Sequence, residues 1–172
     1  MAFFFILAGI VLRFIPHLPN FAPIAAMALF GGVYLNKKYA LIIPLLALFL
    51  GDIIIGFYNI WIMIAVYGSF ALIGLIGLWL KKHKSLPNVF AASIFSSILF
   101  FLVTNFAVWA IPHSMYPHNL PGLLQSYIMG LPFFRNTLAG DLFYSSVMFG
   151  LYEIVLFFTV KRRIACPVKL RN

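Results

Sequence analysis

Ile60-Trp-Ile-Met-Ile-Ala-Val-Tyr-Gly-Ser-Phe-Ala-Leu-Ile-Gly-Leu-Ile-Gly-Leu-Trp-Leu80 runs without a single charge and stops at Lys81-Lys82-His83-Lys84. About 20 apolar residues are needed to cross the hydrocarbon core of a bilayer, and this stretch supplies them with no polar stripe along any face. A second run, Asn88–Ile111, follows the basic turn at once. The pair predicts two antiparallel spans joined on a basic side.

Working outward, Tyr39–Tyr58 and Asn136–Val160 meet the same length requirement. Ala2–Ile15 and Phe21–Leu35 are shorter, and Pro16-His17-Leu18-Pro19-Asn20 separates them. Runs of that length fit either two short tilted spans or a re-entrant pair. The first run has neither the basic start nor the cleavage site of a signal peptide. In either case the number of segments is even and both termini share a side. The expected fold class is an all-α integral membrane protein, a six-helix transmembrane bundle with its first two segments short, forming one domain over residues 1–172.

Composition agrees. Of 172 residues, 64% are hydrophobic, 18% aromatic and only 9% charged, whereas an ordinary soluble domain has about a quarter charged. That balance excludes a soluble globule, a disordered tail and a secreted disulfide scaffold. The lone Cys166 excludes a disulfide frame and a multi-cysteine metal site. The net charge of +9 does not point to nucleic acid, because the basic residues sit between the apolar runs and suit membrane orientation and anionic lipid instead. With the N-terminus inside, every Lys and Arg except Arg13 and Arg135 falls in an inner loop or in the basic tail 161–172. The positive-inside bias therefore predicts a multi-pass membrane protein with both termini cytoplasmic. The longest outer connection, residues 112–135, reads as a proline-punctuated loop followed by a short interfacial helix at Leu123–Leu131.

Two kinds of residue stand out within the spans. Small residues at four-residue spacing mark close helix contacts in lipid: Ala22/Ala26 and Ala28/Gly32, then Ala65/Ser69, Ser93/Ser97 and Ser146/Gly150. Ionisable residues inside a span are costly and mark function by default. Counted from the span ends, Asp52 and Asp141 fall in the outer third, at the level of Arg13, Asn59, Asn105, Trp109, His113, Arg135 and Asn136. Glu153 alone falls toward the inside. The two aspartates pair with Arg13 and Arg135 on the plainest reading, and Trp61 and Trp109 serve as interfacial anchors. The same residues could instead converge on a solute. His113 and His118 lie on a proline-containing loop without a third partner, so no metal is expected. With no nucleophile elbow, His-Glu-x-x-His or phosphate-binding glycine loop, no enzyme activity and no cofactor are expected.

The segment Arg13-Phe-Ile-Pro-His-Leu-Pro-Asn-Phe-Ala-Pro-Ile-Ala-Ala-Met-Ala-Leu-Phe-Gly-Gly32 resembles the opening of a family of small, uncharacterised bacterial membrane proteins. Leu131-Pro-Phe-Phe-Arg-Asn-Thr-Leu-Ala-Gly-Asp-Leu-Phe-Tyr-Ser-Ser-Val-Met-Phe-Gly150 resembles its closing motif, and with Gly51-Asp52 the resemblance spans nearly the whole chain. That family is similar to the substrate-binding, or S, components of energy-coupling-factor transporters. The resemblance implies six helices, an outward-facing pocket for a micronutrient, and docking on a transmembrane T component driven by ATPase subunits. It makes Ala22, Ala26, Ala28 and Gly32 the partner-docking face, and the outer polar layer of Asp52, Asn59, Asn105, Trp109, His113, Arg135, Asn136 and Asp141 the site for a small-molecule solute. The amino-terminal histidine of the metal-binding members is absent. The rod-shape scaffold protein shares the helix layout, so a structural scaffold is the alternative, with a small intramembrane enzyme behind it.

Overall fold

The computed structural model describes residues 2–14 and 18–165, without the side chains of residues 13, 14 and 160–165. Among them the regular structure is all helical: α1 (Ala2–Phe14), α2 (Ile24–Tyr34), α3 (Lys37–Ala40), α4 (Ile42–Ile55), α5 (Ile60–Leu80), α6 (Leu86–Ala110) and α7 (Leu120–Ala165). Four stretches are long and apolar enough to cross a membrane: Lys37–Ile55, Ile60–Leu80, Leu86–Ala110 and Leu120–Thr159. This architecture is compatible with a multi-pass membrane protein.

The surface bears this out by its inversion. Leu46, Phe49, Leu50, Ile53 and Ile54 of α4 are exposed, as are Ile94, Phe95, Ile98, Leu102 and Phe106 of α6, while Ser93, Ser96 and Ser97 are buried. Water would penalise so much contiguous apolar surface. Lipid does not, and it leaves packing and interhelical hydrogen bonds to hold the helices together.

The helix ends follow from local chemistry. Gly56 ends α4 at φ +110°, a conformation open to glycine and strained for other residues, and its N–H donates to the Asp52 carbonyl at 2.9 Å. Asn59 then caps α5 by accepting from the Trp61 N–H at 2.9 Å. Ser85 caps α6, with Pro87 harmless in the first turn.

The helices alternate in direction between two ends. At the basic end, Lys81 Nζ donates to the Leu35 carbonyl after α2, Lys84 pairs with Glu153 of α7, and Phe3 of α1 meets the Tyr39 ring. The turn at 56–59 and the loop at 111–119 lie at the opposite end.

One boundary differs from expectation. The short helix expected at Leu123–Leu131 is the opening of α7, which continues unbroken through Pro132. A proline removes one backbone donor, and neighbouring groups in a membrane helix make good the loss. Helix α7 packs antiparallel to α6 along its length, through Ser93–Ser145, Ser97–Asp141 and Ser126 donating to the Asn105 carbonyl.

Candidate binding cavity

Helix α2 is apolar on every side and buried from Ile24 to Val33, as a helix without a polar face must be. Its 11 residues give a rise of only about 16 Å, roughly half of the hydrocarbon thickness. It fills the centre of the bundle at the basic end and stops short of the other. The space beyond its N-terminus is a cavity of about 470 Å³. Ile24 and Ala25 of α2 floor it, Leu48 and Asp52 of α4, Val66 and Phe70 of α5, Phe100 of α6, and Thr137 and Asp141 of α7 wall it, and Asn20, Gly56 and Tyr58 also line it.

Two carboxylates thus meet the cavity, each about 2% exposed. Tyr67 Oη donates to Asp52 Oδ2 at 2.8 Å. Ser97 Oγ lies 2.6 Å from Asp141 Oδ2 and 3.1 Å from the Ser93 carbonyl. That geometry serves Asp141 in either protonation state. Ser97 donates to the carboxylate when it is ionised, and to the Ser93 carbonyl when Asp141 itself donates.

Asp52 lies near the end of α4, as its place in the sequence implies. Asp141 does not lie in the outer third. Its partner Ser97 stands near the middle of α6, because α7 begins at Leu120 and not at Asn136. Arg135 is exposed and forms no ion pair with either aspartate. The pairing expected of Arg13 lies outside the described residues.

The remaining predicted residues divide by place. Asn105 lines a second cavity of about 240 Å³ between α6 and α7, with Thr104, Tyr116 and Ser126. The two cavities adjoin, sharing Asn20, Phe100 and Thr137. Trp109 Nε1 donates to the Pro117 carbonyl at 2.9 Å and clamps the 111–119 loop. His113 occupies a left-handed position in that loop, at φ 59°. Asn59 is spent on its cap, and Asn136 Nδ2 donates to the Pro19 carbonyl at 3.0 Å, tying α7 to the turn before α2. These four shape the chain around the cavity and do not line it.

The model of one protein family matches residues 1–164, nearly the whole chain. The chain belongs to DUF6580, a family of unknown function. No curated protein and no solved structure matches it.

In this DUF6580 chain the small residues of α2 and of the turn before it are used internally. Ala22 lines the cavity, and Ala26 and Ala28 are fully buried. Gly32 faces Gly77 of α5 so closely that a Cβ there would stand 2.5 Å from the Gly77 carbonyl carbon. The face expected to receive a partner is therefore already covered by α5 and α7. Ser146 and Gly150, by contrast, are exposed on α7.

At the basic end, Glu153 accepts from Lys84 Nζ at 2.6 Å and from the Tyr34 hydroxyl, with Lys84 lying 5.1 Å above the Tyr34 ring. Phe5, Phe30, Phe149 and Tyr152 pack around that ring system. This cluster locks α2 to α7 where the cavity does not reach.

Sequence reasoning missed Asn20, Tyr58, Tyr67, Phe70, Phe100 and Thr137. Ser97 carried a signal, since Ser93 and Ser97 stand one turn apart in a span that must face another span's carboxylate.

Proposed function

We propose that this chain is the membrane-embedded, substrate-binding subunit of a micronutrient uptake system, similar to the S components of energy-coupling-factor transporters. It captures a small organic solute in the cavity between Asp52 and Asp141, from the outer side of a bacterial inner membrane, with both termini cytoplasmic. Separate transmembrane and ATPase subunits supply the energy, since the chain carries no nucleotide-binding motif.

The observation that supports this reading is the cavity itself. A scaffold made only of packed helices has no need to stop α2 halfway and leave about 470 Å³ at the end opposite the basic loops. The volume lies within the range of about 300–1,000 Å³ used for small molecules, and a mainly apolar wall with a few placed polar groups is the usual lining.

The test is a thermal-shift screen of the full chain in lipid nanodiscs against vitamins and other small organic solutes. At least one solute should raise Tm in a concentration-dependent way, and Val66→Trp, which fills the cavity, should abolish the shift. A library without effect, or a shift that survives Val66→Trp, would remove the solute-binding reading and favour the scaffold.

A further inference from the structure

The lining of the cavity also limits the charge of what it holds. Among the described residues that line it, two are aspartates and none is Lys, Arg or His. Asp141 carries the argument. It is about 2% exposed, and Ser97 is its sole donor among the described residues, acting on Oδ2 alone. Arg135, the cation its sequence position suggested, is exposed elsewhere. A buried carboxylate with a single neutral donor is costly until a cation or a proton meets it. Phe70 and Phe100 stand in the same wall, their ring centroids 5.2 Å apart, and Tyr58 adds a third aromatic ring. A carboxylate beside aromatic faces suits a positively charged nitrogen attached to a flat apolar body, through a charge-assisted hydrogen bond and cation–π attraction.

Resting on the solute-binding reading above, we infer that the cavity takes a small organic cation, an ammonium or amidinium on an aromatic or compact apolar frame, with Asp141 as its counter-ion. Thr137 and Asn20 offer neutral polar contacts at the boundary with the second cavity. A longer cation could extend past them toward Asn105.

The test uses the full chain in nanodiscs and a matched set of probes: benzamidine, benzylamine, benzyl alcohol, benzamide and benzoate. Binding is read by ligand-observed NMR and by thermal shift, on wild type, Asp141→Asn and Val66→Trp. Benzamidine and benzylamine should bind at least tenfold more tightly than the neutral and anionic members. Asp141→Asn, which keeps the shape and a partner for Ser97, should erase that preference, and Val66→Trp should remove binding of every probe. Charge selectivity in the wild type decides the matter even if Asp141→Asn fails to fold. Equal or tighter binding of the neutral or anionic probes, sensitive to Val66→Trp, would overturn the cationic class and leave the solute site standing. Absence of any Val66→Trp-sensitive binding across the series would overturn both.

Discussion

Replacing Gly32 by alanine would place a methyl carbon 2.5 Å from the Gly77 carbonyl carbon, 2.6 Å from its Cα and 2.7 Å from the Leu78 nitrogen. Ordinary carbon contacts lie at about 3.5–4.0 Å, so α2 and α5 would have to part by about 1 Å. All three atoms are backbone, and no rotamer change relieves the clash. Overpacking costs about 1–3 kcal/mol, and a backbone-on-backbone clash belongs at the upper end of that range. Alanine recovers about 1 kcal/mol through helix propensity, which leaves a net loss of about 2 kcal/mol. Gly68 of α5 is the control, because nothing lies within 4 Å of its added Cβ; Gly68→Ala should be neutral or stabilising by up to about 1 kcal/mol. The assay is reversible unfolding in mixed micelles of increasing SDS fraction, followed by tryptophan fluorescence. Gly32→Ala as stable as Gly68→Ala would refute the close packing of α2 inside the bundle and return its small residues to the role of an open docking face.

Three further outcomes are expected. In a Cys166→Ser background, an impermeant thiol reagent on intact cells should label Asn119→Cys and not Lys82→Cys; the reverse pattern would invert the proposed orientation. Ser97→Ala leaves Asp141 without its donor and should cost about 1–3 kcal/mol, more than Ser96→Ala, whose hydroxyl bonds only the Ala92 carbonyl of its own helix; equal costs in the unfolding assay would deny the Ser97–Asp141 link. Lys84→Ala breaks a pair whose side chains are 39% and 46% exposed, so the loss should stay within about 1 kcal/mol, and a cost beyond twice that would show the pair to be a main fastening of the α5–α6 turn to α7.

How far these residues could be read from sequence depended on whether two environments look different in composition. Helix α5 was legible to the residue, because Asn59 and Lys81 bound an uninterrupted apolar run. Helix α2 was legible as a short helix and not as a central one, since a lipid-facing and a protein-buried surface are equally apolar. The start of α7 was hidden by Pro117 and Pro121, read as loop punctuation, and its continuity by Pro132, which follows the short helix expected at Leu123–Leu131. Pro121 falls in the first turn of the helix, where it needs no donor, and Pro132 is absorbed within it. That shift moved Asp141 from the outer third to mid-bundle. The two aspartates themselves were conspicuous, because a charge in a span is expensive. Their donors were not: a Ser or Tyr hydroxyl in a span satisfies itself just as well on its own helix backbone, and sequence does not say which it chooses.

On the solute-binding reading the space above α2 opens to the outer side and admits a solute. Cysteine accessibility at Ala25, in the cavity floor, against Ala28, about one turn deeper and fully buried, tests this. In the Cys166→Ser background, Ala25→Cys should react with a small impermeant thiosulfonate added to intact cells, while Ala28→Cys should stay unmodified. Reaction of Ala25→Cys only in inverted vesicles, or equal silence at both positions while Asn119→Cys labels normally, would contradict an outward-opening binding cavity.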